Sequence, residues 1–100
     1  MITRGTTPEQ VFNTSIDLSE AVVLFVSYSQ FGKVVIEKDI DDCTVTSDSV
    51  STYLSQYDTL LLDPHKQVQI QIRAKFGDGE AVASNIIDTD VGAILKGGVI

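Results

Sequence analysis

Residues 67–76, QVQIQIRAKF, alternate with hardly a slip. Val68, Ile70, Ile72 and Ala74 fall on one side, and Gln67, Gln69, Gln71 and Arg73 on the other. A strand turns successive side chains to opposite faces, so this pattern fits a half-buried β-strand and no helix. Gly77-Asp78-Gly79 follows, and the chain then sets off again. That three-residue loop suits a hairpin with a type I turn closed by glycine in the left-handed region.

The same rhythm runs through the rest of the chain. Turn residues break it at intervals of roughly eight to twelve positions, the spacing of an all-β sandwich or barrel. The first strand is expected over Gln10–Ser15, because Val11, Phe12, Asn13 and Thr14 oppose a helix opening at Thr7-Pro8. Ala21–Gln30 is the strongest strand, and its apolar start on both faces places it centrally. Gln30-Phe31-Gly32-Lys33 is a tight turn with Gly32 free to take positive φ, and Lys33–Lys38 returns beside it. Asp39–Asp42 is a loop. Cys43–Thr46 and Ser49–Leu54 form a second hairpin, and Gln67–Phe76 with Glu80–Ile87 a third. Ser55-Gln56-Tyr57-Asp58 matches the Ser-x-x-acid capping box, which predicts a single helical turn. One domain is expected over residues 1–100, with Val91–Ile100 as a tail that is apolar apart from Lys96.

Charge narrows the function classes. The formal net charge is −7, and neither half of the chain holds a basic cluster. A surface without a positive stripe meets repulsion at every phosphate, so neither nucleic acid nor anionic membrane is an expected partner. The longest apolar run, Ala21–Val26, is far short of the ~18–20 residues of a membrane span. The start, MITRGTTPEQ, has no apolar core of a signal peptide, so a cytoplasmic protein, or one that leaves the cell by lysis, is expected.

No enzyme motif emerges. Cys43 is the one cysteine and His65 the one histidine, too little for a disulfide or a zinc set. Asp39, Asp41 and Asp42 offer oxygen ligands for calcium, but without EF-hand spacing or a glycine to wrap the ion they read as a solvated loop. Asp63 and His65, flanked by Pro64 and Lys66, read as a solvated turn. Gly77-Asp78-Gly79 lies between strands and does not open a helix, so it is no phosphate loop. Phe12, Phe25, Tyr28 and Phe76 read as core residues or half-buried cross-strand partners. No catalytic residue, metal or cofactor is expected.

Two features stand apart. The outer face of the 67–76 strand carries an uncharged amide row where a monomer's sheet usually carries Lys, Glu or Thr. Glutamine both donates and accepts and loses no ion hydration when covered, so the row suits a protein-facing surface as well as simple exposure. The second feature is the tail, ending Gly97-Gly98-Val99-Ile100. It packs either on its own domain or on a neighbour.

In order along the chain come ITRGTTP, an apolar strand ending in Gln30, the Gly32-Lys33 turn into VVIEK, and Ser55–Leu60. After these come Val68–Arg73, Gly-Asp-Gly, Ala83-Ser84-Asn85 and the hydrophobic tail. This series resembles small proteins of tailed phages and prophages of Gram-positive gut bacteria. It is similar, more loosely, to the immunoglobulin-like N-terminal domain of phage baseplate upper proteins. The resemblance implies an antiparallel immunoglobulin-like β-sandwich of about seven to eight strands with one short helical turn. It implies a virion building block of the tail, baseplate, neck or head decoration, with other virion proteins and copies of itself as partners. Phe31 departs from the Asn or Asp of a tight hairpin; at a turn tip it is either a contact residue or folded back on the sheet. The expected contact residues are therefore Gln67, Gln69, Gln71, Arg73, Phe31, Ile94, Leu95, Val99 and Ile100. The alternative is a carbohydrate-binding or host-attachment module, calcium-dependent if the Asp39–Asp42 loop holds an ion.

Overall fold

The computed structural model describes residues 1–100. In chain order the strands are β1 (Ile2–Thr3), β2 (Glu9–Asn13), β3 (Ala21–Gln30), β4 (Lys33–Asp39), β5 (Cys43–Val45), β6 (Ser49–Tyr53), β7 (Val68–Phe76), β8 (Ala81–Ala83), β9 (Ile87–Thr89) and β10 (Val91–Gly92). One short helix, α1 (Gln56–Leu60), precedes β7, and a 3-10 turn over Ile40–Asp42 links β4 to β5. The larger antiparallel sheet runs β4-β3-β7, with β8 and β9 sharing the far side of β7; the smaller runs β2-β6-β5. Neither closes into a barrel. β1 and β10 make a two-residue parallel pair.

Burial follows the sequence pattern. Val68, Ile70, Ile72 and Ala74 of β7 are buried, and they meet Leu24, Val26 and Tyr28 of β3 and Ile36 of β4. Val50 and Leu54 join the same core from the side of the smaller sheet, with Phe12, Cys43 and Val45 packed against it. Each fully buried aliphatic side chain contributes ~1.5–3 kcal/mol. Leu24→Ala should therefore remove ~2–5 kcal/mol once the cavity it leaves is included. β3 lies between β4 and β7, as expected, but only one face of its apolar start is covered: Val22, Val23 and Phe25 are exposed.

The local signals account for the short elements. Ser55 caps α1: its hydroxyl accepts from Asp58 N while the Asp58 carboxylate accepts from Ser55 N. Asp39 and Asp42 form the same reciprocal box around the 3-10 turn where a plain loop was expected.

Three expectations change. The first strand runs Glu9–Asn13 and not Gln10–Ser15; Thr14 N still donates to Asp48 O in the register of the β2–β6 pairing, and the chain leaves the sheet after it. Glu80–Ile87 is not one strand but β8 and β9, with three residues, Ser84–Ile86, standing opposite two, Gln71 and Ile72. Ser84 spans this break: its N–H donates to Ile72 O and its hydroxyl accepts from Ile72 N at 2.9 Å. The tail does not begin at Val91. Val91 is a core residue, and β10 approaches β1 so closely that a Cβ on Gly92 would meet Met1 Sδ at 2.8 Å and Thr3 Oγ1 at 3.0 Å.

Candidate interaction surfaces

The β3–β4 turn has two loop residues, Phe31 and Gly32, with φ of 54° and 72°. Positive φ at both positions is the type I′ turn that matches strand twist. Glycine takes it freely, but for a residue with a Cβ the left-handed region costs ~1–2 kcal/mol. The Phe31 side chain does not recover this by burial; it is 68% exposed. Lys66 Nζ lies 5.8 Å from its ring centroid, a cation–π contact worth ~0.5–1 kcal/mol at an exposed site.

Lys66 is brought there by Gln30, whose buried side chain ends β3. Gln30 Nε2 donates to the carbonyls of Asp63 and Lys66 at 2.9 Å, and Gln30 Oε1 accepts from Asp63 N at 2.8 Å. One amide thus fastens the 63–66 loop to the base of the turn. Inside that loop the Asp63 carboxylate accepts from His65 N and contacts His65 Nδ1 at 3.0 Å. These bonds, the backbone one foremost, hold its carboxyl below the usual range. The solvated-turn reading of Asp63 and His65 thus acquires a definite geometry.

The amide row divides. Gln67 Nε2 donates to Asp90 Oδ1 at 2.8 Å, and Gln71 Nε2 donates to Ser84 O at 3.0 Å. Both tie the interrupted β8–β9 edge to β7, so these two serve their own sheet before any partner. The break at Ser84–Ile86 leaves the Ser84 carbonyl within reach of the Gln71 amide, while Gln67 reaches the Asp90 carboxylate beyond β9; the row keeps its outer face, with two of its three amides already paired. Gln69 stays exposed and, with Gln67, Phe31, Lys66 and Asp88, bounds a shallow depression of about 330 Å³. Arg73 is exposed two positions beyond Gln71 and is paired across the sheet with Phe25 and Ala83.

The tail is held at points and open between them. Gly92 O accepts from Arg4 N at 3.0 Å. Ile94 is half-buried, its Cδ1 tight against Gly5, which removes it from the set of free contact residues. At the far end the Gln56 side chain imitates a strand partner: Nε2 donates to Ile100 O at 3.1 Å and Oε1 accepts from Ile100 N at 2.9 Å. Between and beyond these points the Leu95, Val99 and Ile100 side chains face solvent. The two readings of the tail therefore combine: its backbone belongs to its own domain and much of its apolar surface does not.

A further feature escaped the sequence. Where β2 ends and the β8–β9 edge is broken, a groove of about 410 Å³ opens with Phe12, Leu18, Ile72, Ala74, Val82 and Ile87 among its lining. The Ser-Asn pair at 84–85, poor in strand propensity, was the signal for it.

The remaining candidates do not assemble into a reacting site. Burial pushes the Cys43 thiol up, outweighing its hydrogen bond with Thr52, so it stays a neutral thiol at pH 7. His65 bonds to Asp63 on the 63–66 loop, while Cys43 lies on β5 of the smaller sheet. The Asp39 and Asp42 carboxylates are engaged in capping, and no three His, Cys, Asp or Glu side chains gather to hold a metal ion. Lys38 Nζ and Asp58 Oδ2 pair at 2.7 Å between β4 and α1. Burial raises the Asp58 carboxyl, but the bonds from Lys38 and Ser55 pull it further the other way, to below its ordinary value. No protein-family model matches the chain, and no curated protein and no solved structure matches it.

Proposed function

We propose that this chain is a non-enzymatic structural or adaptor protein of a tailed-phage particle, an immunoglobulin-like β-sandwich that works through protein–protein contacts. Two antiparallel sheets on one core agree with the sandwich, and the sequence resemblance supplies the particle. One observation carries the contact reading: a tail whose backbone is fixed at Gly92 and Ile100 while Leu95, Val99 and Ile100 stay uncovered. Binding ordinarily costs the freedom of the segments it orders, and here that ordering is already made. Other virion proteins and copies of this chain are the proposed partners, and the virion its location. Density-gradient-purified particles, analysed by quantitative mass spectrometry, test it. The chain should band with the particles at a fixed ratio to the major capsid protein; recovery only in the soluble fraction would refute the role.

A second reading, glycan binding in host attachment, is favoured by the exposed Phe31 beside Gln67, Gln69 and Asp88. One ring with amides and a carboxylate around it matches the mixed apolar and polar faces of a sugar. It needs no calcium at the Asp39–Asp42 loop. A host-wall glycan should raise the melting temperature of the wild type and not of Phe31→Ala; equal shifts, or none, would remove this reading.

A further inference from the structure

We infer that the groove beside β2 receives the exposed tail side chains of a second copy, Leu95 foremost, in a head-to-tail contact. This rests on the protein-contact reading and names its partner. The groove lies between two unpaired strand edges, since β2 and β8 each end their sheet. Its floor is apolar, with Phe12, Leu18, Ile72, Val82 and Ile87, and its volume of about 410 Å³ has room for a leucine with its neighbours. Ile16 stands exposed at its mouth. The chain's own tail is committed elsewhere, with Ile94 against Gly5 and Ile100 on Gln56, so the occupant comes from another molecule.

Charge selects the match. The groove lining itself is uncharged, but Asp17 stands exposed between the lining residues Ile16 and Leu18, with no basic side chain among residues 13–20, and Asp48 adjoins through the Thr14 N–H to Asp48 O bond. Residues 91–100 carry Lys96 and no acidic side chain, in a chain of net charge −7. Seating Leu95 in the groove brings Lys96 to the acidic border. Most surfaces of so acidic a molecule repel their copies; this pairing does not. A contact between two different patches is heterologous, so it builds a ring if the rotation closes and a filament if it does not.

Two substitutions at exposed positions test it by native mass spectrometry and light scattering. Leu95→Glu removes the inserted side chain and keeps the groove; Ile16→Glu spoils the groove and keeps the tail. Each alone should be monomeric where the wild type assembles, with its dissociation constant raised at least ~30-fold, as for loss of an interface anchor. Mixed together they should form a one-to-one dimer and nothing larger, since one intact surface of each kind remains. Lys96→Glu should weaken assembly and lessen its sensitivity to salt. Should Ile16→Glu misfold, Asn85→Lys, a positive charge set at the same groove, takes its place. Assembly of the groove variant at wild-type strength, or a mixture that stays monomeric, overturns the inference and leaves the virion role standing. A wild type that is monomeric throughout overturns it too, whereas absence from purified particles would remove the role itself.

Discussion

Two hairpin turns of the larger sheet meet the same requirement with different residues. Between β7 and β8, Gly79 takes the left-handed position at φ 92°, with Phe76 N donating to Glu80 O at 2.8 Å and Gly79 N to Phe76 O at 2.9 Å. Nothing in that turn needs more than folding to explain it. Between β3 and β4, Phe31 takes a left-handed position that asparagine would fill at less cost, and its ring remains in water. A local rule broken without burial or full pairing in return makes Phe31 a candidate contact residue. The expensive turn is also the braced one, through Gln30, the 63–66 loop and Lys66.

Substitutions separate the two turns, and the largest effect belongs to the ordinary one. A Cβ at Gly79 would meet no atom within 4 Å, so Gly79→Ala reads the backbone term alone. It should destabilise the fold by about 2 kcal/mol in chemical denaturation. Phe31→Asn should do the reverse, stabilising the fold by about 1 kcal/mol while weakening whatever contact the ring makes. A loss of stability in Phe31→Asn would mean that the ring serves the fold after all. Smaller still, Lys66→Ala should cost about 0.5 kcal/mol with Phe31 present and nothing in the Phe31→Asn background, as a double-mutant cycle would show.

Acid should also distinguish the turns. The Asp63 carboxyl lies below its ordinary value in the folded chain, so its bonds to His65 stabilise the 63–66 loop above the unfolded carboxylate range. That contribution is lost as pH falls through the folded value. Below about pH 4, amide exchange should therefore quicken at His65 and Lys66, and Asp63→Asn should abolish that pH step. Asp58, held low by Lys38 and Ser55, follows the same sign at α1.

The elements that sequence made legible are those whose physics is local. The alternation of 67–76 told its buried face from its exposed one, and Ser55 with Asp58 announced α1. What stayed hidden depends on distant residues. The β1–β10 pair joins Ile2 to Val91 through two residues a side, too short for a periodicity to register. The break at Ser84 was written in the Ser-Asn pair, but only the facing β7 shows that a hydroxyl there replaces a strand partner. Gln67 and Gln71 read as free outward surface because their targets, Asp90 and Ser84, lie far along the chain, just past the ends of β9 and β8. Of the tail, composition told the apolar character, while the points that hold it required Gln56 and Gly5 to be seen beside it.

Light scattering of the wild type and Leu95→Glu over a concentration series tests most directly that the uncovered tail is a contact surface. The wild type should rise above its 10.8 kDa monomer mass as concentration increases, and Leu95→Glu should remain at it. Equal assembly by both proteins, or a monomer in both at every concentration, would contradict self-association through the tail.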